Sequence, residues 1–230
     1  MPKKFNFITM DESVLPKTKG KNIDGTRFYE IDGQNYPSVT SVLSIRSKEG
    51  IQKWRDSIGN DVANWEMNRA ARRGTATHTL VEQYLKGETP SIRSVLPLGL
   101  FKLLRPYVDQ IDNIRFLETI MYSHKLKLAG QVDCIGEYNG KLSVIDFKSA
   151  NKLKEESWIE NYFIQTTAYA EMYEELYGEK IEQVVILIAS EDGTSQSFVK
   201  ETKDYKQKLL VAIEDFYKYY KNKNKDKIEK

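Results

Sequence analysis

Apolar residues change their spacing twice along the chain. Between residues 48 and 113 they recur every three to four positions: Trp54, Ile58, Val62 and Trp65; Leu80 and Tyr84 after Gly74; Leu100, Leu103, Leu104 and Val108 after Pro97. That spacing is close to the helical period and predicts three or four helices, with breaks near Gly74 and across residues 87–97. On either side the pattern is that of strands. Residues 27–32 and 34–39 flank Asp32-Gly33, a two-residue hairpin signal. Residues 116–122 and 126–138 read as strands, Asn139-Gly140 as a type I′ turn, and 142–148 as the returning strand. Ser157 is placed to cap a helix that runs to Tyr177, with Gly178 as its stop. A buried strand over 181–189, the turn Asp192-Gly193, an edge strand over 195–200 and an amphipathic helix over 205–220 complete the chain. Strands set among helices, with both hairpin and crossover connections, predict an α/β (α+β) fold with a mixed central sheet flanked by helices.

Composition narrows this picture. The chain has 230 residues, enough for one domain or for one carrying an insertion. No run approaches the ~20 apolar residues that span a bilayer. A single cysteine, Cys134, excludes a disulfide framework and a cysteine-held zinc or iron–sulfur site. Neither a secretory signal nor a transit peptide is read at the start, so a cytoplasmic setting, in a bacterial or phage-infected cell, is expected. Net charge is only +2, so nucleic-acid binding has to rest on local patches. Two patches stand out. Arg69, Arg72 and Arg73 form one, and the tail over 218–230 forms the other, read as a solvated helix end that frays.

The hairpin carries the chemistry. With Asn139-Gly140 as the loop, Tyr138 faces Lys141, and continuing that register sets Asp133 opposite Asp146 and Gln131 opposite Lys148. Side chains alternate with period two, so Asp133, Asp146 and Lys148 share one face, with Ile135 and Val144 beside them. Val132, Cys134, Ile145 and Phe147 fill the other face. Two aspartates opposed within apolar strands repel each other, and burial makes both costly unless they are paired or bound to a cation. Mg²⁺ or Mn²⁺ suits such oxygen donors, and Lys148 beside them can act on an attacking water or steady charge on a phosphate. The plainer alternative is an Asp–Lys ion pair with the second aspartate turned to solvent. The register and the two apolar faces favour the metal site.

Weaker features point the same way. Gln165 and Tyr169 lie one helical turn apart on one face. His78, one of two histidines, sits in Arg73-Gly74-Thr75-Ala76-Thr77-His78 at an expected helix start, and Glu118 shares a strand face with Phe116 and Ile120.

Read in order, the set is His78, Glu118, Gly130-x-Val132-Asp133, Val144-Ile145-Asp146-Phe147-Lys148, then Gln165-x3-Tyr169. It resembles the RecB-like branch of the PD-(D/E)xK nuclease superfamily. Residues 36–43 and 137–148 are similar to exonucleases of the mitochondrial genome-maintenance type and to related phage exonucleases. The resemblance implies a restriction-endonuclease-like core with a helical insertion: a single nuclease domain over 1–230, with a helical portion at 48–113, a catalytic core at 114–200 and a C-terminal helix and tail at 201–230. It implies that Asp133, Asp146 and the Phe147 carbonyl hold Mg²⁺ or Mn²⁺, that His78 joins a metal and that Glu118 supports it. Lys148 would act on the water, and Gln165 and Tyr169 would contact DNA. Arg69, Arg72, Arg73, Lys152 and Lys154 would draw the DNA backbone in, while Trp54, Trp65 and Tyr84 are candidates for stacking on bases. The function so implied is a metal-dependent DNA exonuclease acting on single strands or ends, with replication or recombination proteins as further partners. The alternatives are a structure-selective endonuclease and a catalytically silent DNA-binding recombination accessory protein.

Overall fold

The structure, a computed structural model, describes residues 3–228, with side chains described as far as Lys223. Two sheets form. Strands β1 (Lys21–Ile23), β2 (Thr26–Ile31) and β3 (Gln34–Pro37) make a small antiparallel sheet. Its turns fall at Asp24-Gly25 and Asp32-Gly33, all four residues having positive φ as type I′ turns require. The chain then enters helices α1 (Val39–Ile58), α2 (Asn60–Leu85) and α3 (Val95–Val108).

The helical region therefore starts at Val39, earlier than the apolar spacing indicates, because Ser38 caps α1 by accepting the Ser41 N–H at 3.0 Å. The expected break at Gly74 is absent and α2 passes straight through it. The break falls instead at Gly59, whose φ of 84° separates α1 from α2. A mid-helix glycine costs about 1 kcal/mol, and the burial of Leu80, Val81 and Leu85 further along α2 outweighs that.

The main sheet runs β4 (Ile111–Ser123), β5 (Leu128–Tyr138), β6 (Lys141–Ala150), β7 (Gln183–Ser190) and β8 (Ser195–Glu201) in that order. All neighbours are antiparallel except β6 and β7. That parallel pair is joined by a crossover through α4 (Glu160–Tyr177), which stops at left-handed Gly178 as expected. Ser157 is not the cap. It lies in a short 3-10 turn, Glu156–Ile159, and α4 begins after Ile159 without a side-chain cap.

Both faces of the sheet are covered, which is why β6 and β7 read as nearly continuous apolar runs. Val144, Val184, Ile186 and Ile188 pack with Phe163, Ile164 and Ala168 of α4, with α1, and with Leu209, Ala212 and Phe216 of α5 (Lys203–Ile228). Cys134, Ile145, Phe147, Val185 and Leu187 pack with Leu80, Val81 and Leu85 of α2 and with Leu100, Leu104 and Val108 of α3. Helix α5 extends through Ile228, where fraying was expected; the last two residues of that tail lie outside the described residues. Among the described residues no helix is long and apolar enough to cross a membrane.

Candidate active site

The hairpin register holds from Tyr138↔Lys141 to Cys134↔Ile145 and ends there, one step before Asp133 and Asp146 would pair. The Asp133 carboxylate accepts the Phe147 N–H at 3.0 Å, taking a backbone donor that a strand would otherwise satisfy. On the opposite side of β5, the β4 ladder flanks the same point with Leu117↔Cys134 and Thr119↔Val132. Glu118, between them, has a φ of 48°. A left-handed carboxylate residue inside a strand costs on the order of 1 kcal/mol or more and turns the side chains beyond it to the other face.

Two expectations are corrected by this kink. Phe116 packs toward α4, whereas Glu118 turns to His78 (Nδ1–Oε1, 3.8 Å) and accepts Gln131 Nε2 at 2.8 Å, so Glu118 does not share a face with Phe116. Val132 joins Ile135 and Val144 on the α4 side, opposite to the face expected for it. Alternation counts residues and cannot register a backbone dihedral that shifts the phase.

His78 projects from α2. Its Nδ1 lies 3.5 Å from Asp133 Oδ2, and its Nε2 meets the Phe147 carbonyl at 2.5 Å. Burial alone would lower its pKa; the charges of Asp133, Glu118 and Asp146 overcome this and raise it to about 8. Ligand atoms of His78, Glu118 and Asp133 lie within 4.8 Å of one another. A cleft of about 380 Å³ lined by Gly74, Thr75, His78, Thr79, Glu82 and Glu118 opens beside them.

Asp146 and Lys148 face α4, whereas Asp133 turns to His78 of α2, so the three do not share the one face expected of them. Asp146 is 2 % exposed; Lys148 Nζ contacts its Oδ2, and Gln165 Nε2 donates to its Oδ1 at 3.2 Å. Burial pushes the Asp146 pKa up to about 6; Lys148 pulls it down and Asp133 adds to the rise. Burial works against the Lys148 charge, yet Asp146 and Asp133 hold its pKa above the ordinary value. The Tyr162 ring lies 5.1 Å from Lys148 Nζ. Tyr162 precedes Gln165 by three residues on the same helix, a spacing by which the sequence could have marked it.

Gln165 and Tyr169 were expected to touch DNA, and the structure buries both. Tyr169 is 2 % exposed, and burial raises its pKa well above 10. A Cβ at Gly130 would lie 2.8 Å from the Tyr169 hydroxyl, so the glycine makes room for this ring behind the carboxylates. Gly130→Ala is expected to cost about 1–3 kcal/mol in denaturant unfolding; stability equal to the parent would refute this packing.

The arginine cluster divides. Arg73 is 7 % exposed and pairs with Glu191, Asn151 and Ser149, so its expected contact with DNA is replaced by contacts within the fold. Arg69 pairs with Glu66 and Glu191. Arg72 and Lys152 are exposed, and Lys154 is half-buried. Trp54 and Trp65 are also exposed, at 38 % and 56 %, and Trp54 lines a groove of about 450 Å³ with Val62, Met67 and Asn151. Tyr84 instead donates to Asp109 and packs against Phe5 and Phe101. Glu191, which holds both arginines, carried no signal in the sequence because its partners lie far away along the chain.

A mixed sheet flanked by helices, with an Asp-…-Asp-x-Lys set on its central hairpin, defines a nuclease fold. Residues 46–228 match the PD-(D/E)XK nuclease superfamily, and the chain belongs to it. The chain is 27 % identical over 213 residues to mitochondrial genome maintenance exonuclease 1 of Homo sapiens, covering 84 % of this chain and 61 % of that protein. The Mus musculus protein of the same name is 29 % identical over 133 residues, covering 54 % and 39 %. The chain thus spans less than two thirds of the length of these relatives. A crystal structure of a candidate exonuclease from Eubacterium rectale superposes with a TM-score of 0.47 at 14 % identity over 63 % of each chain.

Proposed function

We propose that the protein is a metal-dependent deoxyribonuclease, an exonuclease hydrolysing phosphodiester bonds in single-stranded DNA or at DNA ends. The observation that carries this reading is the convergence of His78, Glu118 and Asp133 from three separate elements, beside the buried Asp146–Lys148 pair. One imidazole and two carboxylates within 4.8 Å suit a hard divalent cation such as Mg²⁺ or Mn²⁺. When bound there, the cation would neutralise charge on the phosphate and acidify a water.

The remaining chemistry belongs to the chain. Asp133 and His78 hold the Phe147 N–H and carbonyl, fixing the strand on which Asp146 and Lys148 stand. With Lys148 turned toward the attacking water or the scissile phosphate, Asp146 would be available as a further ligand. Gln165 keeps one oxygen of Asp146 in place throughout. Arg72 and Lys152 offer exposed charge for the backbone of the strand, and Trp54 and Trp65 offer exposed rings for its bases, which favours a single strand over a duplex. The relatives named above are called exonucleases, which supports action at ends.

The experiment is digestion of end-labelled linear DNA, single- and double-stranded, with Mg²⁺, Mn²⁺ or EDTA. Release from ends of the single strand with metal, and none with EDTA, is expected. Closed circular single strands separate the alternatives: cutting them would establish an endonuclease, and inertness toward every substrate with DNA still bound would establish a silent DNA-binding protein.

A further inference from the structure

Beyond Ile145, strand β6 has lost its β5 partner, yet it continues to Ala150 with pairing to β7 on its other edge. The vacated edge is held by side chains from other elements. Asp133 takes the Phe147 N–H, His78 meets the Phe147 carbonyl, and Arg73 Nη2 reaches the Ser149 carbonyl at 3.5 Å. Arg73 Nε also donates to Ser149 Oγ at 3.1 Å, and Nη1 donates to Asn151 Oδ1 at 2.6 Å. Lys148 stands between the residues held by His78 and by Arg73.

The guanidinium is itself fixed. Glu191, at the end of β7, pairs with both Arg73 and Arg69, and its own N–H donates to the Ala150 carbonyl at 3.0 Å. Arg73 and His78 are five residues apart on one rigid helix, so α2 is fastened to β6 on both sides of the lysine. The planar fork of arginine can bind a hydroxyl, a carbonyl, an amide and a carboxylate together, which an ammonium cannot match.

We propose that Arg73, locked by Glu191, is a positioning residue: it takes the place of the missing β5 strand and sets the direction in which Lys148 leaves β6. This rests on the hydrolytic reading of the site. It touches neither substrate nor metal, so its loss lowers turnover without weakening DNA binding.

The test compares Arg73→Lys, Glu191→Gln and the double variant with the parent on linear single-stranded DNA. Each single change is expected to lower kcat about 10- to 100-fold, with KM within about twofold and cooperative melting retained. The double variant is expected to fall no further than the worse single one, since the two act as a unit. Glu191→Gln keeps the question decidable if Arg73→Lys does not fold. Parent-like kcat in both single variants overturns the proposal, as does additive loss in the double. A raised KM at unchanged kcat overturns it too and returns Arg73 to a contact with the DNA strand. Failure of the parent to cleave any DNA would instead refute the hydrolytic reading itself.

Discussion

Lys148→Ala is expected to slow cleavage of linear DNA by about 10³-fold or more, while DNA affinity stays within a few-fold of the parent. Lys148 contacts Asp146 within the carboxylate cluster and lies against the Tyr162 ring. Its side chain is only 20 % exposed, whereas Arg72, Lys152 and the tryptophans that would carry affinity are exposed. The substitution strands Asp146 in a buried position. That carboxyl keeps its hydrogen bond from Gln165, and burial already favours its neutral form, so protonation can relieve the loss of the ion pair. Single-turnover cleavage and a binding titration in Ca²⁺ read the two quantities separately. Cleavage at the parent rate would remove Lys148 from the reaction, and a collapse of affinity with turnover would make it a binding residue.

What the sequence disclosed and what it hid divide along a physical line. Asn139-Gly140 demands positive φ at two successive residues, which pins the hairpin and with it the register from Tyr138↔Lys141 to Cys134↔Ile145. The apolar runs of β6 and β7 disclosed burial on two faces. The point at which β5 leaves β6 was not legible, because alternation and turn signals do not mark where a ladder ends, and the left-handed φ nearby falls on Glu118, a residue with no special conformational preference. Arg73 was misread for another reason. Arg69, Arg72 and Arg73 look alike as charges, and what separates them is Glu191, 118 residues from Arg73 along the chain. The continuity of α2 through Gly74 likewise came from packing that local propensity does not contain.

Asp133→Asn tests the metal trio by a route independent of cleavage. The asparagine oxygen can still accept the Phe147 N–H, so the strand edge is kept while the charge is removed. Burial acts to lower the His78 pKa, and Asp133 is the largest influence raising it to about 8. Without that charge the His78 pKa is expected to fall, readable by NMR because the chain has only two histidines. The stability consequence follows from the sign of the shift. His78 has a folded pKa above its unfolded value of 6.5, so its contribution is fully present below pH 6.5 and is lost as the pH rises through about 8. In the metal-free parent this contribution amounts to about 2 kcal/mol, and Asp133→Asn should remove most of it. The parent should therefore lose stability between pH 6.5 and 8.5 in EDTA more steeply than the variant. A divalent cation competes with that same proton for the imidazole and needs Asp133 as a ligand. Mn²⁺ should thus raise the parent's melting temperature more at pH 8.5 than at pH 6.5, and should scarcely affect the variant. A His78 resonance titrating alike in both proteins, or equal Mn²⁺ stabilisation of both, would show that Asp133 and His78 do not share an ion.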